Sequence, residues 1–561
     1  MQPARVTLGS PTTPAEQCLA QIDNELVVLA ESMRALRSRR NSLARVSCLP
    51  PEILATVFRH MAEEESSKSY LRAYRRRVPC MIVTHVCGHW RRVALECPSL
   101  WAFINWTSSR WIDVLLERSK KAALVVTCNT TSFPRNCLDK VLLQLPRIKV
   151  LRLHLYPLDV GRVSNRLLSQ PAPLLQNFEF VVLGDGIPKT SGTIPDSIFQ
   201  GQSPHLRSLE ITNCGFTWTS CLFSGLRTLD VKGIGPTSSY PLPELLQALR
   251  RMPDLEWLTL EQLSITSEGN EVSIDRIPLV RLKTIVLDAT IQIAVAMFAR
   301  VALPDDARVA LNLTKIAGHQ SFSDLFSAMD KGPGKFGSVF RSLRARFSFL
   351  SSVIQFSTSM EYKPPSSWKT SADDVRLSIE FHWNESTGIE PTVIFDICRM
   401  VTQDPTFSLS LTTSSTYLET SFWRTGSAHL PALSEIHLST TSIGGLLNAL
   451  QIEGTQSADI AYPSLHVLDL QDIEFQEGEP DDLYDVIDTR RGFCTSLEKL
   501  RLAECKGLIA GDVDSLEEVI EDVDWDGVEE PLESEPESEP EYYGGCHCPE
   551  CRDPDEPYYW L

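Results

Sequence analysis

Apolar residues in the first hundred positions recur at helical spacing. From Ala15 to Ala44, Ile22, Leu26, Leu29, Met33, Leu36 and Leu43 follow steps of four and three, with Arg40 interrupting the seam. This heptad signature predicts an amphipathic helix. Because the run is short, it is expected to fold back on the segment that follows rather than form a long coiled coil; self-association is the alternative. Pro50 and Pro51 end this helix, and Pro51 can open the next, where its missing N–H costs nothing. A second stripe, Ile53, Leu54, Val57, Phe58 and Met61, begins there. After the polar stretch Glu63 to Arg77, Ile82, Val86, Trp90 and Val93 draw a third stripe, which Pro98 ends. Two short helices cannot bury both stripes by themselves, so another surface is expected to cover part of them.

Beyond Val114 the pattern changes to a recurring L-x-x-L-x-L phrase. It starts at Ile148, Leu175, Leu206, Leu226, Leu255 and Leu282, and again at Leu433, Leu465 and Leu497. The intervals are 27, 31, 20, 29 and 27 residues, then 32 and 32, which fit leucine-rich repeats with some long units. Each phrase predicts a short strand whose alternate leucines point into a stack while the residues between them face outward. Helical segments are expected between strands at Leu242 to Met252, Ser323 to Met329, Val393 to Val401 and Gly444 to Leu450. Strand-like runs at Val309 to Leu313, Val375 to Trp383 and Phe407 to Thr412 predict that the repeats continue through the central gap in degenerate form. The usual asparagine after the leucines is mostly absent.

By this alternation Arg152, His154, Glu210, Thr212, Asp230, Lys232, Trp257, Thr259, Glu261, Asp469, Gln471, Lys499 and Arg501 should share a concave face. Its mixed charge suits a protein or peptide partner better than a nucleic-acid backbone. Substrate-binding candidates are Trp257, Thr259, Glu261, Asp230 and Lys232. Trp257 is either an interface anchor or packing against the next repeat.

The chain has 561 residues, and its formal charge of −19 is unevenly placed. From Asp512 to Leu561 there are 19 acidic residues against Arg552 alone, so the body before them is nearly neutral. That excludes the concentrated basic stripe of a nucleic-acid surface. No signal-peptide core or membrane-length apolar run is present, so the expectation is a soluble, intracellular protein of the cytoplasm or nucleus, with no membrane partner. The fifteen cysteines are scattered, many in apolar segments, and read as reduced thiols packed as small hydrophobes. The acidic end, too poor in apolar surface to offset ordering entropy, is expected to be disordered.

Several motifs are present in letters only. Gly332, Gly334, Gly337 and Val339 spell the glycine-rich loop of a protein kinase, but its lysine, catalytic loop and metal aspartate are missing, so a flexible turn is the expected reading. His85 and His89 stand four apart without a third ligand. Cys546, His547, Cys548 and Cys551 form one C-x-x-C with a histidine, a weak zinc signal beside the default of an exposed thiol cluster. Ser534 and Ser538, among glutamates, are candidate phosphorylation sites. No cofactor or metal is expected, and no catalytic residue.

The stretch Cys48 to Trp106 resembles the F-box of fungal proteins, with Leu49-Pro50 opening, Cys87 and Trp90 in the second helix, and Pro98, Leu100 and Trp101 closing. A heptad helix running straight into it is similar to many fungal members. The resemblance implies docking onto the Skp adaptor of SCF cullin-RING ubiquitin ligases. By position Leu49, Pro50, Ile53, Leu54, Phe58, Val86 and Trp90 match the family's docking and core residues, two roles the sequence does not separate. The charged insertion Glu63 to Arg77 departs from the family pattern. The bland alternative is a helical hairpin that caps a larger domain.

The expected fold is α/β: residues 1–14 disordered, a heptad helix over 15–45, an F-box over 46–106, an irregular leucine-rich-repeat solenoid over 107–510, and a disordered acidic tail over 511–561. The implied function is a non-catalytic substrate receptor, its repeats holding a target protein for ubiquitination. The alternative is a repeat scaffold without ligase association.

Overall fold

The computed structural model describes residues 14–67, 79–105, 109–129, 135–184, 192–233, 239–267, 276–314, 320–329, 340–347, 352–357, 375–381, 393–400, 403–413, 418–440, 442–452, 460–493 and 497–530. The fold is mixed α/β, with a long N-terminal helix and a large, mostly parallel β-structure. Two compact units divide it: Met1–Ser338 with Ser371–Ile389, and Val339–Thr370 with Glu390–Leu561.

The first unit opens with α1 (Pro14–Ser42), α2 (Pro51–Ser67), α3 (Pro79–Thr84) and α4 (Gly88–Glu96). Helix α1 does not fold back: it has no buried residue. The core beneath α2 is filled from the C-terminal side by α3, α4 and the turn Pro98–Ala102, and it takes no side chain from α1. Helix α2 runs into the stretch expected to be a loop, because Ala62 and the glutamates after it are good helix formers and Glu63 pairs with Arg59 at 3.7 Å and His60 at 3.2 Å. The rest of that insertion, 68–78, lies outside the described residues. The third stripe is two helices, not one. Cys87 breaks it as the N-cap of α4, its Sγ accepting from the Trp90 N–H at 3.5 Å, so His85 and His89 do not share a helix face.

Parallel strands follow in chain order. Phe103–Asn105, Leu124–Asn129, Ile148–Leu155, Asn177–Val182, Ser208–Thr212, Thr228–Lys232, Trp257–Glu261, Thr284–Thr290, Arg308–Thr314 and Val375–Phe381 each pair with the next. Their register aligns the expected apolar positions into one ladder: Ile104, Val126, Leu151, Phe178, Leu209, Leu229, Leu258, Ile285, Val309 and Leu377, all 2% exposed or less. A side-chain period of two means that the last two apolar residues of each phrase, which lie in the strand, reach the same side, and neighbouring strands bury them. Connecting helices cover that side; Pro157–Leu167 packs on Ile148–Leu155, and Ile291–Phe298 packs on Thr284–Thr290.

The asparagine missing from most phrases is replaced by geometry. Asn213, Gly233 and Gln262, each directly after a strand, are all left-handed, with φ of 56°, 66° and 56°. Asn213 donates its N–H to Lys232 O at 2.9 Å, and Gly233 donates to Glu261 O at 3.1 Å, so the turn extends the ladder by one bond. The φ of Gly233 favours glycine, and a Cβ there would make the Asn213 side chain shift.

The second unit repeats the scheme. Phe340–Phe347, Gln403–Thr413, Leu433–Ser439, Val467–Gln471, Lys499–Ala503 and Asp522–Trp525 pair in parallel, aligning Leu343, Leu409, Ile436, Leu468, Leu500 and Val523. Asp472 and Glu504 form the same left-handed turn after their strands. One pairing differs: Phe340–Phe347 is also antiparallel to Ser352–Ser357, a hairpin that the repeat phrase does not predict.

The acidic end is not disordered from residue 511. Helix Ala510–Glu517 and strand Asp522–Trp525 occupy its first part, because Val513, Leu516, Val519 and Ile520 are buried while the carboxylates around them stay outside. Residues 531–561, with the C-x-x-C cluster, Ser534 and Ser538, lie outside the described residues, as do 1–13 and the glycine-rich segment 330–339.

Candidate functional site: a helical strip and a polar strand face

Helix α2 has two apolar faces. Leu54, Phe58 and Ala62 turn inward to Cys80, Val83, Val93 and Ala94, all buried. Phe58 meets the half-buried Trp90 with ring centroids 4.9 Å apart. Trp101 closes the cluster by donating its Nε1–H to Ala94 O at 2.7 Å, with the Arg118 guanidinium 4.4 Å from its ring. Leu49, Ile53, Val57 and Met61, spaced by four, stay 37–49% exposed, and Ile82 and Val86 are exposed likewise. Single exposed apolar residues are ordinary, but three on one face of a helix, with Leu49 just before it, form a strip with no covering of its own.

The structure therefore separates what the sequence left joined. Of the residues matched to the adaptor-binding set, Leu49, Pro50, Ile53 and Val86 are exposed. Leu54 and Phe58 are fully buried; they are core, not contact residues, because α3 and α4 already occupy their side of the helix. Trp90 supports Phe58. Val57, Met61 and Ile82 were missed as surface candidates, although the step of four from Leu49 marks the first two.

The outward rows of the strands carry the polar candidates. In the first unit Arg152, Glu179, Glu210, Asp230 and Thr259 stand side by side on successive strands. Glu179 accepts from Arg152 at 3.3 Å and pairs with His154 at 2.6 Å, and Lys232 bridges Asp230 at 3.0 Å and Glu261 at 3.8 Å. Burial, together with the carboxylates Glu179 and Asp230 beside it, holds Glu210 above the usual carboxylate range. Burial raises Asp230 too, against the opposing Lys232. Trp257 is 41% exposed, and Lys283 Nζ lies 4.7 Å from its ring centre while also pairing with Glu256 at 2.6 Å. It is not buried against the next repeat. Thr212, Thr259, Lys232 and Glu261 are part-buried on the same face.

In the second unit His437 lies between Glu435, at 3.5 Å, and Asp469, at 3.0 Å; Arg501 reaches Asp469 at 4.0 Å and Asp524 at 3.6 Å. His437 and Asp469, with Ser410, Thr412 and Gln471, line a small pocket on the strand face. Burial opposes charging of His437, but the hydrogen bonds to Asp469 and Glu435 outweigh it and raise its pKa. A raised folded-state pKa stabilises below the unfolded value and loses that stability as pH rises through the folded value. The urea midpoint of this unit should therefore fall as pH rises above about 6.5, the ordinary histidine value, and H437Q should flatten that slope. An unchanged slope in the variant would show that His437 does not carry the linkage.

Buried thiols offer no reactive centre. Burial pushes Cys80 and Cys505 up to about 11 and Cys214 to about 12, and raises Cys128 and Cys398 further. No group of histidine, cysteine and carboxylate ligands is arranged for a metal ion among the described residues. None of their helices is long and apolar enough to cross a membrane.

Comparison with protein-family models and with curated proteins found no match to the chain.

Proposed function

We propose that the chain is a substrate receptor of an SCF-type cullin-RING ubiquitin ligase, its F-box-like helices docking on the Skp adaptor and its strand face holding a target protein. The observation that carries this reading is the exposed strip Ile53, Val57 and Met61 on a helix whose opposite face is already packed, continued by the exposed Leu49 just before the helix. An F-box must present apolar side chains to a foreign surface without unfolding, and this division of α2 provides that. The parallel strands with in-register leucines and repeated left-handed turns support reading the remainder as a leucine-rich-repeat solenoid in two parts. The charged rows around Trp257 and around His437 are the surfaces for the target. The chain makes no bond itself; its contribution is to hold target and conjugating machinery together, which raises their effective concentration.

Co-purification with the Skp adaptor tests the reading. Changing Leu49, Pro50 and Ile53 together to alanine should cut adaptor recovery at least tenfold, the equivalent of about 1.4 kcal/mol, with the fold retained because all three are exposed. Equal recovery would remove the ligase reading in favour of a binding scaffold.

A further inference from the structure

Helix α1 spans 29 residues and buries none of them. Leu19, Ile22, Leu26, Leu29, Met33 and Leu36 lie along one seam and are 47–67% exposed. Helices in water draw most of their stability from a covered apolar face, so a seam of this length calls for a cover. Its charges say which. All four acidic residues, Glu16, Asp23, Glu25 and Glu31, precede all four arginines, Arg34, Arg37, Arg39 and Arg40.

We propose that α1 pairs antiparallel with α1 of a second copy of this chain. With Leu29 opposite Met33 of the second copy and Leu26 opposite Leu36, the central apolar layers fall in step, and Ile22 meets Arg40 at either end. Asp23 then flanks Arg37 of the second copy and Glu25 flanks Arg39, and two-fold symmetry repeats each pair. Arg40, the residue that breaks the heptad, lies beside Asp23 of the second copy. A parallel pair would instead set Arg40 against Arg40 in the seam and lay like-charged halves together. The antiparallel arrangement sends the two chains away from opposite ends of the helix pair, about 33 Å apart along its axis. This pairing stands whether or not the strip takes an adaptor.

Sedimentation equilibrium of the full chain at micromolar concentration tests it. The expected mass is twice that of the chain. Arg37→Glu with Arg39→Glu should return it to the monomer, and adding Asp23→Arg with Glu25→Arg should restore the dimer. These side chains are exposed, and unchanged circular dichroism apart from α1 would show that the fold is kept. A monomer in the unmodified chain, or a dimer indifferent to the charge reversals, would overturn the proposal. Orientation is read from the exposed Cys18: antiparallel pairing keeps the two copies of it roughly 40 Å apart, so a Cys18-to-Cys18 disulfide on mild oxidation would overturn that orientation.

Discussion

Replacing Phe58 by alanine is expected to destabilise the α2–α4 cluster by about 3–5 kcal/mol, whereas Ile53→Ala should change it by less than about 0.5 kcal/mol. The two residues are apolar, near in sequence and on the same helix. Phe58 is fully buried against Trp90, while Ile53 is 49% exposed. Truncating Phe58 removes its transfer free energy and leaves a cavity that Trp90 and Val93 can only partly close; truncating Ile53 removes atoms that already face water. Since the chain has two compact units, a global unfolding free energy is ill-defined. The measurement is therefore hydrogen-exchange protection of the α2–α4 amides, which Phe58→Ala should lower by two to three orders of magnitude or more at about 1.4 kcal/mol per tenfold. Equal protection in the two variants would mean that the division of α2 into a core face and a contact face is wrong, and the docking strip would lose its basis.

A similar contrast is expected between the neighbours Leu258 and Trp257. Leu258→Ala should cost about 2–5 kcal/mol locally, because Leu258 is fully buried between Leu229 and Ile285 in the apolar ladder. Trp257→Ala should cost only about 0.5–1 kcal/mol, the worth of an exposed cation–π contact, since its ring is 41% exposed and touches Lys283. Exchange protection of strands Thr228–Lys232 and Thr284–Thr290 reads both. Trp257→Ala should act instead on target binding, where an exposed tryptophan beside a lysine is a suitable anchor. Strong destabilisation by Trp257→Ala would return that residue to the interior and remove it from the candidate surface.

The strand phrases were legible because their signal is local. A leucine at every second position states which side chains share a face without reference to the rest of the chain, and the register confirms this at Leu209, Leu229, Leu258 and Ile285. The polar rows through Asp230, Lys232, Asp469 and Arg501 follow from the same parity. The hairpin Phe340–Phe347 with Ser352–Ser357 escaped, since an antiparallel return lies outside a repeat phrase built on parallel neighbours. The left-handed turns at Gln262 and Glu504 escaped as well, because their residues are not the glycine, asparagine or aspartate that advertise such a conformation.

Helical stripes told less. Ile53 and Leu54, or Val57 and Phe58, fit one apolar stripe equally well, and only α3, α4 and Trp101, arriving from later in the chain, decide which of each pair is covered. The heptad of α1 states that a seam exists, but its bareness is a property of the folded chain, whose core beneath α2 is filled without it. In the acidic end, composition argued for disorder, while the spacing of Val513, Leu516 and Ile520 let a short helix form and a strand pair with Lys499–Ala503. By itself the sequence determined the periodicities, and through them the elements and the facing of each strand residue, because side-chain direction within an element is set by neighbours in the chain. Tertiary structure alone decided which apolar faces are buried and which stay exposed, because covering a face depends on segments far away in sequence.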